Sequence, residues 1–220
     1  MKERIIDGAM GTSTQKYKSL TDFRGEQWKN HTHDLKGDND CLVVTRPDII
    51  GEIHGGMLET GTDIIETNTF NGTTISQADY ALQDLKHVNL INTEGVKLAK
   101  RVCAEWTAKT PNKPRFVAGA IGPTNRTLSV SPSVENPAYR NCTYDEVVQA
   151  YIEQAEGLYA GGVDLFLVVF QRFFTASSDR LLPSACAIFD HLLPNSRCSA
   201  IIFASSSREK GSRFITLGAR

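Results

Sequence analysis

The sequence predicts an α/β fold built on a parallel sheet, and three observations carry that prediction. Short apolar runs, at Ile5-Ile6, Asp63–Glu66, Arg115–Ile121 and Val163–Phe170, alternate with longer stretches of helical spacing. The helical stretches carry start and stop signals, and each apolar run passes into polar or glycine-rich residues. Strand, long loop, helix, strand, helix, strand, helix, strand is the rhythm of βαβ crossovers, whose ligand sites lie at the carboxyl ends of the strands.

The first run ends in Asp7-Gly8, a turn-forming pair that can expose a carboxylate at the strand tip; a simple turn and a functional tip both remain open there. Residues 13–46 have little periodicity and many polar residues, and are expected to drape over one end of the sheet, with Leu42, Val43 and Val44 a short buried piece. Pro47 and Asp48 signal a helix start, with Ile49, Ile50, Ile53, Met57 and Leu58 on its apolar face. The next strand, D-I-I-E, delivers Thr67, Asn68, Thr69 and Phe70 at its carboxyl end. One long helix is expected from about Thr74 to Lys109 on the apolar positions Leu82, Leu85, Val88, Ile91, Val96, Leu98 and Val102. A buried strand from Arg115 then runs into Gly122-Pro123-Thr124-Asn125. Thr143 with Glu146 three residues on reads as a capping box for a helix over Tyr144–Tyr159, closed by Gly161-Gly162. Four strands are too few for a closed eight-stranded barrel, which needs about 250 residues, so half a barrel is the plainest description.

The composition is that of an ordinary soluble chain: 220 residues, 40% apolar, net charge −1. No charge excess points to nucleic acid or a membrane surface. Neither a signal peptide nor a membrane span is expected, and the chain is placed in the cytoplasm. The five cysteines, Cys41, Cys103, Cys142, Cys186 and Cys198, are scattered without a C-x-x-C pair and read as reduced thiols filling buried space. His31 and His33 have no Cys or carboxylate at ligand spacing that a helix would bring together, so solvated histidines are favoured over a metal site.

The stretches I-D-G-A-M-G-T, L-K-G-D-N-D, G-T-D-I-I-E-T-N-T-F-N-G-T-T-I-S-Q-A-D-Y and R-F-V-A-G-A-I-G-P-T-N-R-T-L-S-V-S-P-S-V-E-N-P-A-Y-R-N, with the helix leading to G-G-V-D-L, are long and unusual in composition. Together they closely resemble the homocysteine-binding (homocysteine S-methyltransferase) domain at the amino end of cobalamin-dependent methionine synthase, from about Arg4 to about Val168. The resemblance implies a partial (β/α)8 TIM barrel, about the first four β/α units. It also implies homocysteine as substrate, activated as a thiolate on a zinc ion held by three cysteines and methylated from methylcobalamin, ultimately from methyltetrahydrofolate. In the full enzyme the partners would be folate-, cobalamin- and reactivation domains.

By the same resemblance, Asp7 and Gly8 face the amino-acid head group of homocysteine. Thr67, Asn68, Thr69 and Phe70 line the neighbouring wall, and Gly122, Pro123 and Asn125, with Thr124, extend the rim or form a rigid turn. The family's zinc cysteines lie in G-x-N-C and G-G-C-C-G stretches that this sequence lacks, so no metal ligand and no catalytic residue is assigned. The family's E-T-I-F-D-T is replaced by V-V-F-Q-R-F-F over Val168–Phe174. The expected organisation is therefore residues 1–168 as the amino-terminal half of a homocysteine-binding barrel and 169–220 as a divergent tail from a shifted frame, a retained intron or a gene-model error. A weak helix over Leu181–Leu193 and a short strand over Ala200–Ala204 are its only expected elements. Without zinc ligands the chain is expected to be inactive alone, the alternative being a non-catalytic remnant with at most weak homocysteine binding.

Overall fold

A computed structural model describes residues 4–8, 10–17, 23–126, 128, 131–171, 199–205 and 213–217. The elements in chain order are α1 (Met10–Thr14), α2 (Leu42–Thr45), α3 (Pro47–Glu59), β1 (Ile64–Glu66), α4 (Thr74–Gln77), a 3-10 turn (Ala78–Tyr80), α5 (Leu85–Lys109), β2 (Phe116–Ile121), α6 (Tyr144–Gly161), β3 (Leu165–Gln171), β4 (Ser199–Ser205) and β5 (Arg213–Leu217). Strands β1 to β4 pair in parallel in that order, and β5 closes on β4 antiparallel. The α/β prediction holds.

The period-two alternation of the strands separates two apolar layers. Ile65, Val117, Ile121, Phe166 and Val168 face the helices and merge with Ile49, Ile50, Ile53, Ile91, Val96 and Leu158 in the main core. Ile64, Ala118, Leu165 and Leu167, with Ile6, Phe116 and Val169 against them, form the inner face. Burying a side chain such as Leu158 or Phe166, both fully enclosed, contributes about 1.5–3 kcal/mol.

Several expected boundaries shift for identifiable reasons. Ile5-Ile6 makes a single parallel bridge, Ile6 to Ile64, and no strand, because Ile5 has nothing to pack under and stays 62% exposed. The helix expected from Thr74 to Lys109 is broken: Ala81 takes a left-handed conformation (φ 54°), Leu82 turns into the core, and Asp84 caps a new helix by accepting from the Lys86 N–H. The stretch expected to drape over one end of the sheet is held at the β1 tip, where Asn68 and Asn71 bond Asn39 and Asp40, but it is packed: Phe23, Trp28, Leu35, Cys41, Leu42 and Val43 are part of the main core, and Leu42–Thr45 is a helical turn.

Other signals hold as written. Pro47 occupies the first turn of α3, the Thr143–Glu146 capping box starts α6, and Gly162 ends it with φ 88°, a conformation that a glycine adopts without strain. In α6 the buried residues include Ala150, Gln154, Ala155 and Leu158, whereas Val147 and Val148 are half-buried. The strand expected over Ala200–Ala204 is β4; the helix expected over Leu181–Leu193 lies outside the described residues. Among the described residues no helix is long and apolar enough to cross a membrane.

Candidate functional site

The carboxyl ends of β1 and β2, with the Asp7 turn beside them, gather most of the residues that the sequence singles out. The chain enters β1 after Asp63, whose neighbour Ile64 hands its carbonyl to the Asp7 N–H at 3.0 Å. This draws Asp7 alongside the strand, and both of its carboxylate oxygens accept from the Glu66 N–H at 3.0 Å. Glu66 lies two residues beyond Ile64 and so shares its inner face. Two carboxylates thus meet at one strand tip. Burial, and after it the Glu66 charge, raises Asp7 to about 8; burial raises Glu66 to about 7. No Lys, Arg or His forms an ion pair with either among the described residues. Gly8 next to them is exposed, with open space where a side chain would stand.

Thr67 and Thr69 stand on the opposite side of the tip and are buried. The Ala120 N–H donates to Thr67 Oγ1 at 3.0 Å, and Thr69 Oγ1 donates to the Ala120 carbonyl at 3.0 Å. The 2.6 Å contact between the two hydroxyls must then use the Thr67 proton, since the Thr69 proton is already committed. Each hydroxyl proton is spent inside this ring, which ties the end of β1 to β2. Gln154 of α6 adds a donor to the Thr69 carbonyl at 2.7 Å. Asn68 reaches the other way, donating to the Asn39 carbonyl at 2.6 Å and pinning the loop before α2.

Phe70 is 39% exposed and its carbonyl accepts from the Gly122 N–H at 3.0 Å. Its ring lies on Gly122, where an added Cβ would meet ring carbons at 2.4 Å. Tyr151 closes the same turn, donating to the Gly122 carbonyl at 3.0 Å and accepting from the Thr124 N–H at 3.1 Å. Pro123 follows half-buried. Asn125 points away from the acids, donating to Asp79 at 2.5 Å while Arg126 holds the other oxygen of Asp79 at 2.7 Å. The structure therefore brings Asp7, Gly8 and the β1 tip together, joins Phe70 to Gly122, and carries Asn125 to the 3-10 turn.

The zinc implied by the resemblance finds no fit among the described residues. Cys41 donates to the carbonyls of Asp38 (3.1 Å) and Phe23 (3.5 Å), and burial pushes its thiol far up. Burial raises Cys103 to about 12 and raises Cys142 as well; both are buried and unbonded to other cysteines. No three His, Cys, Asp or Glu among the described residues are grouped to hold a metal ion. Cys186 and Cys198 lie outside the described residues. His31, half-buried, bonds the Tyr80 carbonyl at 2.7 Å, and His33 is exposed.

Sequence reasoning passed over Glu66, Tyr151 and Gln154. Glu66 was legible from its two-residue spacing to Ile64; helical spacing turns Tyr151 inward but does not show the Gly122 and Thr124 partners of its hydroxyl, and Gln154 gives no such signal. A cleft of ≈ 380 Å³ lined by Arg4, Ile64, Phe116, Asp164 and Leu165 lies at the amino ends of the strands, opposite the paired acids.

Solved structures of the homocysteine methyltransferase MmuM from Escherichia coli are similar to this chain. The metallated form matches at a TM-score of 0.62 and 21% identity, covering 90% of this chain and 62% of that one. The oxidized form matches at 0.60 and 22%, covering 89% and 60%, and the apo form at 0.59 and 20%, covering 94% and 61%. The chain thus spans about three fifths of the length of these relatives, and at this identity the likeness speaks to the fold: a parallel α/β sheet matching part of theirs. The family model for homocysteine S-methyltransferase matches residues 4–174, and the chain belongs to the homocysteine S-methyltransferase family.

Proposed function

We propose that this chain is the homocysteine-binding module of a cobalamin-dependent methionine synthase, the first four β/α units of a (β/α)8 barrel. The family reaction transfers a methyl group to homocysteine and gives methionine. The observation that carries the reading is the Asp7–Glu66 pair: two carboxylates raised by burial, without a cation, at the carboxyl ends of the strands. An α-ammonium is the counter-charge such a pair lacks. Homocysteine would put its ammonium against Asp7 and Glu66, with Gly8 leaving room for the Cα. Asn68 and Phe70 would form the neighbouring wall and Thr67 and Thr69 would hold it in place. Gly122, Pro123 and Asn125 would continue the rim.

The long motif match favours methylcobalamin as the donor and the partners named above. Residues 169–220 are the divergent tail of this reading, although the family match extends into them as far as residue 174. The described cysteines are dispersed and protonated, so the chain alone would bind homocysteine without making it a thiolate. That observation also favours the second reading, a non-catalytic remnant.

Calorimetric titration with L-homocysteine at pH 7.5 tests the proposal. Saturable binding by the wild-type chain that is lost in Asp7→Asn, together with no methionine formed from methylcobalamin, is the expected result. No binding by a folded wild-type chain supports the remnant, and methionine formation overturns the claim of inactivity.

A further inference from the structure

We propose that Asp38, Asp40 and Gln77 form a binding site for a hard, oxygen-ligated divalent cation of the calcium class, separate from the strand-tip acids. Asp38 and Asp40 are 2% and 3% exposed and stand one residue apart, on either side of Asn39, whose carbonyl is held by Asn68. Asp38 Oδ1 accepts from Gln77 Nε2 at 3.2 Å, and Asp40 Oδ1 accepts from the Asn71 N–H at 3.0 Å. No Lys, Arg or His forms an ion pair with either carboxylate among the described residues.

The independent observation is Gln77. It is fully buried and its amide nitrogen is committed to Asp38 and, at 3.4 Å, to the Asn71 carbonyl. Its Oε1, on the same amide, meets no donor, and neither do Asp38 Oδ2 and the neighbouring Ser76 Oγ. Buried acceptors without donors, two of them on or beside a carboxylate, are costly to leave unsatisfied. A cation satisfies the pair and the amide oxygen together.

The donor set fixes the class of ion. Two carboxylates and an amide carbonyl are hard oxygen ligands, and an irregular cage of this kind suits calcium better than the strict octahedron of magnesium. The Cys41 thiol nearby donates to backbone carbonyls and is no ligand. The ion would join the 38–40 turn to α4, and so brace the loop that Asn68 and Asn71 hold against the β1 tip.

The full chain is stripped with EGTA at pH 7.5 and its calcium uptake and Tm are measured, with magnesium and potassium in parallel. The expected result is one calcium retained per chain and a rise in Tm on the order of 5 °C at a hundredfold excess over the Kd. Asp38→Asn, which keeps the shape and removes a ligand charge, is expected to lose most of that rise. Gln77→Met leaves both acids and is expected to weaken calcium binding by about tenfold. No calcium retained by the wild type, a Tm rise with potassium alone, or an equal rise in Asp38→Asn overturns the proposal. Equilibrium dialysis of wild type alone decides the case if either variant fails to fold.

Discussion

The two ends of the sheet treat their acids in opposite ways. At the amino ends, Asp63 accepts from the Ile5 N–H at 3.0 Å and pairs with Lys113 at 3.5 Å; those contacts, the Ile5 bond first, hold its carboxyl below the usual range. Asp164 accepts from the Val117 N–H at 2.8 Å and pairs with Lys100 at 2.5 Å. Each acid there has a lysine and a backbone N–H, from Ile5 for Asp63 and from Val117 for Asp164. At the carboxyl ends Asp7 accepts from the Glu66 N–H, neither Asp7 nor Glu66 has a lysine, and burial raises both. A charge that serves the fold is neutralised within the fold. A charge left without its partner is kept for something that arrives.

The largest expected effect concerns the unpaired end. Asp7→Asn keeps an acceptor for the Glu66 N–H but removes the charge, so homocysteine affinity is expected to fall about 100-fold by calorimetry. The same variant should be at least as stable as the wild type at pH 8. An acid raised in the folded state binds its proton more tightly there than when unfolded, so its contribution falls as pH rises from about 4 towards 8. Homocysteine affinity of the wild type should rise over pH 6.5 to 8 as Asp7 ionises to meet the ammonium. A large stability loss in Asp7→Asn would make that acid a structural one as well and erase the contrast.

Next in size is Gly122→Ala. Its Cβ would stand 2.4 Å from the Phe70 ring and 2.6 Å from the Phe70 carbonyl, so the two tips must separate, at a loss of about 2–3 kcal/mol in denaturant unfolding. His54 sharpens the comparison from inside α3: it is fully buried with neither ring nitrogen bonded, and burial lowers it to about 4. The unfolded chain takes up a proton near pH 6.5 that the folded chain refuses, so stability falls as pH drops from 6.5 to 4. His54→Leu should remove about 1–2 kcal/mol of that loss at pH 5. The smallest effect belongs to the lysine-paired end: Lys100→Ala, at a pair about one third exposed, should cost about 0.5–1 kcal/mol and leave homocysteine affinity unchanged.

Local signals in the sequence were legible where one residue decides the outcome. Pro47, the Thr143–Glu146 box and Gly162 act within a turn of the helix ends they set. The break in the helix expected over Thr74–Lys109 was hidden because Leu82 fits the helical period as well as it fits a turn into the core. Ile5-Ile6 reads as a strand by composition, yet a strand needs cover on the face that Ile5 leaves exposed. At the site, Asp7 and the T-N-T-F tip were legible as polar residues after apolar runs. What periodicity could not give was division of labour: Thr69 spends its proton on the Ala120 carbonyl, and Thr67, which accepts from the Ala120 N–H, spends its own on Thr69.

The account turns on the paired acids taking an ammonium. The direct test titrates the wild-type chain at pH 7.5 with L-homocysteine and with 4-mercaptobutanoate, which lacks only the amino group. Saturable binding of homocysteine and at least about 100-fold weaker binding of the desamino compound is predicted; equal affinity for the two would contradict the role given to Asp7 and Glu66.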